Sequence, residues 1–215
     1  MNEDNKEFAD ARRRMIEQLR EYGIEDRDIL STMSHIHRHC FIPGQCPTPD
    51  CAYGDHAFHI GFKQTISQPF IVAYMTQLLG VTKGMKVLEI GTGSGFQTAI
   101  LASLGAEVYS LEVVSELAKF ASKQLKIFGI NNAKIKLGDG YEGWKKYSPF
   151  DRILVACASA KVPQALVNQL AENGRMVIPI GDDRQNLYIV DNTKNGIKTA
   201  VDIAVKFVPM VHRDL

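Results

Sequence analysis

The sequence predicts an α/β sandwich: a doubly wound, mostly parallel sheet with an antiparallel C-terminal edge and a helical N-terminal addition. Three observations predict it. From Met85 onward, apolar runs of strand length alternate with helical periodicities, an order that calls for right-handed βαβ units. The first of these strands, residues 86–90, runs into Gly91-Thr92-Gly93-Ser94-Gly95 and then a helix, so bare backbone can approach a ligand where a β-carbon would collide. The last two runs, 187–190 and 199–208, have no helix between them, only the hairpin signal Thr193-Lys194-Asn195-Gly196.

Taken in order, Phe8, Ala11, Met15, Leu19 and Tyr22 recur at helical spacing and stop at Gly23. A second helix begins near Glu25 and carries Ile29, Leu30 and Met33. Residues 35–64 follow no period, and Pro43, Pro47 and Pro49 exclude a long helix there. Such a stretch inside a compact domain is usually functional or mobile. Pro69 then opens a helix with Ile71, Val72, Met75, Leu78 and Leu79 on its apolar side, ended by Gly80. The alternating region reads as strand 86–90, helix 95–104, strand 107–111, helix 114–128, strand 133–137, strand 150–156, helix 162–172 and strand 175–180.

A chain of 215 residues is expected to form one domain, 1–215, with 1–64 as a helical and irregular region and 65–215 as the ligand-binding core. Apolar and charged fractions of 45% and 23% are those of an ordinary globular protein, and a net charge of +1 gives no polyanion-binding face, so nucleic acid is not expected as a partner. No run approaches the ~18 apolar residues of a membrane span. The first residues are polar and acidic, unlike a signal peptide. Four cysteines are too few for a disulfide scaffold of this length, which points to a cytoplasmic chain with reduced thiols. Nothing demands a second subunit, and a monomer is expected.

The glycine turn lacks the third glycine of a dinucleotide fingerprint, because Phe96 stands where it would fall. Acids follow at the tips of the next two strands. Glu112 ends the second, where a carboxylate can accept hydrogen bonds from a ribose, and Asp139 sits in Gly138-Asp139-Gly140 after the third. Ligands of open parallel sheets lie outside the carboxyl ends of the strands, so three successive tips converge on one nucleoside-like molecule.

Several further motifs are specific. They are Arg38-His39-x-Phe41-Ile42-Pro43, Tyr53-x-Asp55, Gln64-Thr65-Ile66-Ser67-Gln68-Pro69, residues 87–95, Gly138-Asp139-Gly140-Tyr141-x-Gly143-Trp144, Ile178-Pro179-Ile180-Gly181 and Phe207-Val208-Pro209. Together they resemble the protein-L-isoaspartate O-methyltransferase family over about residues 8 to 211. The turn alone would suit any S-adenosyl-L-methionine (SAM) methyltransferase; Thr-Ile-Ser-Gln-Pro is the more particular segment.

The resemblance implies methyl transfer from SAM to the α-carboxylate of L-isoaspartyl residues in damaged proteins and peptides, releasing S-adenosyl-L-homocysteine. The ester then closes to a succinimide that reopens partly to aspartate. It places Ser67 at the catalytic position and Gln64, Thr65 and Ile66 beside cofactor and substrate. Glu89, Gly91, Thr92, Gly93 and Ser94 would enclose the methionine end, Glu112 the ribose, and Asp139 with Gly140 the adenine; Val211 lies where the C-terminal segment nears the site. Three stretches depart from the family pattern: His56-Ala57-Phe58-His59, the Cys46–Cys51 insertion, and Cys157 to Lys161. These border the acceptor side. The competing expectations are a drifted acceptor, small molecule or RNA, and a non-catalytic SAM-binding paralogue. The spacing of His35, His37, His39, Cys40, Cys46 and Cys51 fits no familiar zinc pattern, so no metal is expected. Cys157, at a strand end, reads as a small buried hydrophobe.

Overall fold

The N-terminal periodicities become helices in the computed structural model, which describes residues 6–44 and 48–212. Cys46 and Pro47 lie outside the described residues. Helix α1 (Lys6–Glu21) buries Ala11, Met15, Ile16 and Leu19, and α2 (Arg27–His35) buries Ile29, Leu30 and Met33. Asp26 starts α2 by accepting from the Asp28 and Ile29 N–H groups.

The stretch expected to be irregular is only partly so. It holds a 3-10 turn (Arg38–Phe41), a five-residue helix α3 (Pro49–Tyr53), and the first strand of a small antiparallel ribbon, β1 (Phe58–Gly61) and β2 (Gln64–Ile66). Pro49 begins α3 with Thr48 as its cap. The ribbon turns through Phe62 and Lys63, both at positive φ (53° and 58°), without the Asn-Gly or Asp-Gly that announces such a turn. Helix α4 (Pro69–Leu79) ends at Gly80 in the left-handed conformation, as expected.

The main sheet follows: β3 (Lys86–Ile90), α5 (Phe96–Ser103), β4 (Glu107–Glu112), α6 (Ser115–Ile127), β5 (Ala133–Leu137), β6 (Phe150–Val155), α7 (Gln164–Val167), β7 (Leu170–Ile180), β8 (Gln185–Thr193) and β9 (Gly196–Val205). Its order is β5-β4-β3-β6-β7-β8-β9, parallel through β7 and antiparallel for β8 and β9. Both faces of β3 are covered. Val87 packs with Leu154 and Val177 under α4 and α5, while Leu88 and Ile90 pack with Ile153 and Met176 on the other side. A third cluster joins α1 and α2 to Phe41, Phe96 and Leu117.

The helix expected over 162–172 is corrected to the single turn α7, and β7 starts five residues before the expected 175. Asn173 at φ 61° and a register break between Phe150↔Leu170 and Arg152↔Arg175 form a bulge. Asn192 Nδ2 donates to both Leu170 O and Ala171 O at 3.0 Å and holds it. The apolar spacing of Leu166 and Leu170 thus reflects a shared core wall, not a helical face. No helix among the described residues is long and apolar enough to cross a membrane.

Candidate active site

The sheet order reverses at β3, with β4 and β5 to one side and β6 and β7 to the other. A crevice opens beyond the carboxyl ends of strands at such a switch point. Two adjoining hollows occupy it and share Thr65, Gly91, Gly93 and Ala156. One extends to Glu112, Gly138 and Gly140; the other to Ile66, Ser67, Thr92 and Ser94.

The glycine turn is tied to the tip of β4. Gly91 and Thr92 N–H groups donate to Leu111 O at 2.9 and 3.1 Å, and the Thr92 and Ser110 hydroxyls meet at 2.5 Å. Gly93 N–H donates to Glu112 Oε2 at 2.7 Å, while Val113 and Val114 N–H groups donate to Oε1 at 2.9 and 3.0 Å. Three of roughly four lone-pair sites are thereby used. The remaining one is on Oε2 of a carboxylate that lines the hollow, and it suits a ribose hydroxyl. Gly95, at φ 88°, begins α5; a β-carbon there would stand 2.9 Å from Ala121 Cβ on α6. Gly140 leaves room for the same reason, because a β-carbon would run into Ile90 Cγ2.

Ser67 precedes α4, and the helix-capping role that its position suggests is filled by Asp55. Asp55 Oδ1 accepts from Phe70 N–H at 2.8 Å, and Oδ2 from Gln68 Nε2 at 3.4 Å. A carboxylate at this helix start also meets the positive end of its dipole. Gln64 lines the hollow that leads to Glu112, and half-buried Thr65 borders both.

Two expected site residues stand off the walls. Glu89 is wholly buried beneath the glycine turn, and Thr98 Oγ1 donates to its Oε2 at 2.5 Å. Burial raises its pKa to about 7, more than the hydroxyls of Ser110 and Thr98 lower it, and the Glu112 charge adds to the rise. Asp139 is at the rim: Oδ1 accepts from Tyr141 N–H at 2.8 Å and Oδ2 lies 2.8 Å from His212 Nδ1. His212 also stacks on Tyr141, ring centroids 4.4 Å apart.

The structure adds Ala156 and Met210 to the walls, finds Val211 among them, and moves Cys157 from the acceptor side, where it was expected, to the hollow that Glu112 lines. Ala156 and Cys157 follow β6 as the glycines follow β3, and the strand-tip rule would have found them. Cys157 is the buried residue expected, its thiol pushed up to about 12, first by burial and then by the charge of Glu112. Val208, Pro209, Met210 and Val211 cover the same hollow, held by Ala158 N–H to Val208 O (2.8 Å) and Met210 N–H to Ala158 O (2.6 Å). The Phe207-Val208-Pro209 motif and the resemblance bring this segment near the site through Val211; Met210 carries no signal of its own.

A doubly wound sheet, a glycine turn bonded to an acidic strand tip and a hollow spanning both define a Rossmann-like SAM-dependent methyltransferase. The family model for protein-L-isoaspartate(D-aspartate) O-methyltransferase matches residues 10–215, and the chain belongs to that family. A protein-L-isoaspartate O-methyltransferase of Gloeobacter violaceus is 46% identical over 196 residues, 90% of this chain and 95% of the relative. A solved protein-L-isoaspartate O-methyltransferase superposes with a TM-score of 0.86 at 27% identity, over 94% of this chain and 66% of its own. A Plasmodium falciparum chain assigned to the same enzyme, crystallised with S-adenosyl-L-homocysteine, gives 0.80 at 30% identity over 92% and 97%.

Proposed function

We infer that this chain repairs damaged proteins and peptides by transferring the methyl group of SAM to the α-carboxylate of their L-isoaspartyl residues. The observation that carries the reading is the position of Thr65 on both hollows. It joins the strip bearing Ser67 to the turn that Glu112 anchors.

When bound, the cofactor supplies an electrophilic methyl group and leaves as S-adenosyl-L-homocysteine. The acceptor needs no general base, since a carboxylate of pKa about 4 is already ionised. One oxygen–carbon bond forms while one sulfur–carbon bond breaks, and the carboxylate and sulfonium charges vanish together. Apolar walls favour a step that removes charge. Ile71, Val72, Met75 and Phe207 provide them next to Ser67. Ser67 Oγ donates a hydrogen bond to the acceptor carboxylate and sets the line of attack. With SAM bound, Glu112 would take a ribose hydroxyl and the Gly91–Ser94 backbone would hold the methionine end. Glu89 is a positioning residue: through Thr98 it fixes the first turns of α5 below the glycine turn. Asp139 and Gly140 border the adenine.

The chain works as one cytosolic domain, a monomer, with residues 1–64 on the acceptor side and 65–215 forming the SAM-binding core. It acts on polypeptide without nucleic acid or membrane. Incubation with labelled SAM and a synthetic isoaspartyl peptide tests the reading. Base-labile ester is expected on that peptide and not on its aspartyl twin; equal labelling of the two would refute it.

A further inference from the structure

Among the described residues, one group of His, Cys, Asp and Glu brings three candidate metal donors together: His37, His39 and Cys40, with ligating atoms all within 4.8 Å of one another. No metal was expected from the spacing of these residues, but the local backbone changes what that spacing means. His37 caps the 3-10 turn Arg38–Phe41, and Cys40 N–H donates to His37 O at 2.9 Å. In a 3-10 turn, side chains at i and i+3 eclipse, so His37 and Cys40 project to the same side. His39 joins them by stacking on His37, centroids 5.5 Å apart and planes 18° apart. Its Nδ1 is 2.8 Å from Tyr53 Oη, which directs Nε2 as the ligating atom. A metal-bound histidine is commonly oriented in this way by a partner on its other nitrogen.

We propose that His37, His39 and Cys40 form a binding site for a borderline divalent ion, zinc in the first place, separate from the methyl-transfer cavity. All three line an open cleft between the 3-10 turn and α6 that shares no lining residue with the two hollows at the strand tips. Two imidazoles and one thiolate are a donor set suited to zinc, with a fourth position for water. Tetrahedral zinc holds such donors about 3.3–3.6 Å apart, so the side chains close by about 1 Å on binding. Binding breaks the Cys40 S–H bond, forms a Zn–S bond and releases the proton to solvent. The ion would tie His37, His39 and Cys40 together across the 3-10 turn.

The test uses the full chain, stripped with a chelator and then titrated with Zn2+ or Co2+. One equivalent of metal is expected, with a thiolate-to-cobalt charge-transfer band and a higher unfolding temperature in Zn2+. Cys40→Ser should abolish the band, and His37→Ala should weaken binding by about tenfold or more. Cys51→Ser, whose thiol accepts from Thr48 Oγ1 at 3.2 Å and lies outside the group, should change neither. Circular dichroism and SAM binding by the chelated variants report that they are folded. Absence of saturable binding by the wild type, or binding that survives unchanged in Cys40→Ser and His37→Ala, would overturn the proposal.

Discussion

The strand-tip half of the cavity and its acceptor lip are built by different means. The tips are held chiefly through backbone N–H groups: those of Gly91 and Thr92 hang from Leu111 O, and that of Gly93 from the Glu112 carboxylate at the end of the neighbouring strand. The lip, from the 3-10 turn to Ser67, depends on side chains reaching across sequence. Arg38 Nε donates to Ala52 O at 2.6 Å, His39 meets Tyr53, and Asp55 holds the start of α4. Backbone-made sites tolerate little change in shape. Side-chain-made ones can be re-cut for another acceptor while the cofactor end stays fixed, and the departures at His56 to His59 fall on that variable side.

The largest effect should come from the rigid half. Gly95→Val places a branched side chain at φ 88° against Ala121, adding left-handed strain to overpacking, at a cost of about 3–5 kcal/mol. A urea unfolding midpoint checks this. A tolerated substitution would mean that α5 and α6 are less tightly closed than described.

Next is Glu89. Its folded pKa of about 7 stands above the ordinary 4.5, so between those values the folded state holds more protons than the unfolded one. Stability from this group is therefore intact below about pH 4.5 and declines as pH rises towards 7, by up to about 3 kcal/mol. Glu89→Gln should flatten that decline, seen in urea midpoints across the pH range. Parallel curves for the two proteins would show that the carboxylate is solvated.

A smaller change is expected on the lip. Asp55→Ala removes the acceptor for Phe70 N–H and should cost about 1 kcal/mol of stability, with turnover falling while SAM affinity holds. A fall in SAM affinity would show that lip and tips are one mechanical unit.

The same division explains what the sequence revealed. Strand β3 falls where its apolar run ends, because a strand buried on both faces writes its length in the sequence, and the edge strand β5 is marked instead by Ala133, Ile135 and Leu137 alternating with exposed Lys134 and Lys136. Of the expected site residues, Gln64 through Ser67, Gly91 through Ser94, Glu112 and Gly140 lie on the cavity walls, since strand tips in a parallel sheet converge by topology. Glu89 was legible as an acid but not as a buried one, for side-chain direction at the end of a strand depends on packing against Thr98. The β1–β2 ribbon was hidden because short strands joined by Phe62-Lys63 carry no turn residues. The cover at Val208–Val211 was reached only through the resemblance, since it pairs with Ala158, some fifty residues upstream.

The proposed reaction rests on one division of labour, Ser67 for the acceptor and the strand tips for the cofactor. Ser67→Ala, followed by titration calorimetry with SAM beside turnover of an isoaspartyl peptide, measures both at once. Turnover should drop about tenfold to a hundredfold, the worth of one hydrogen bond to a charged group, while the SAM dissociation constant stays within about twofold. Unchanged turnover, or a loss of SAM binding equal to the loss of rate, would contradict it.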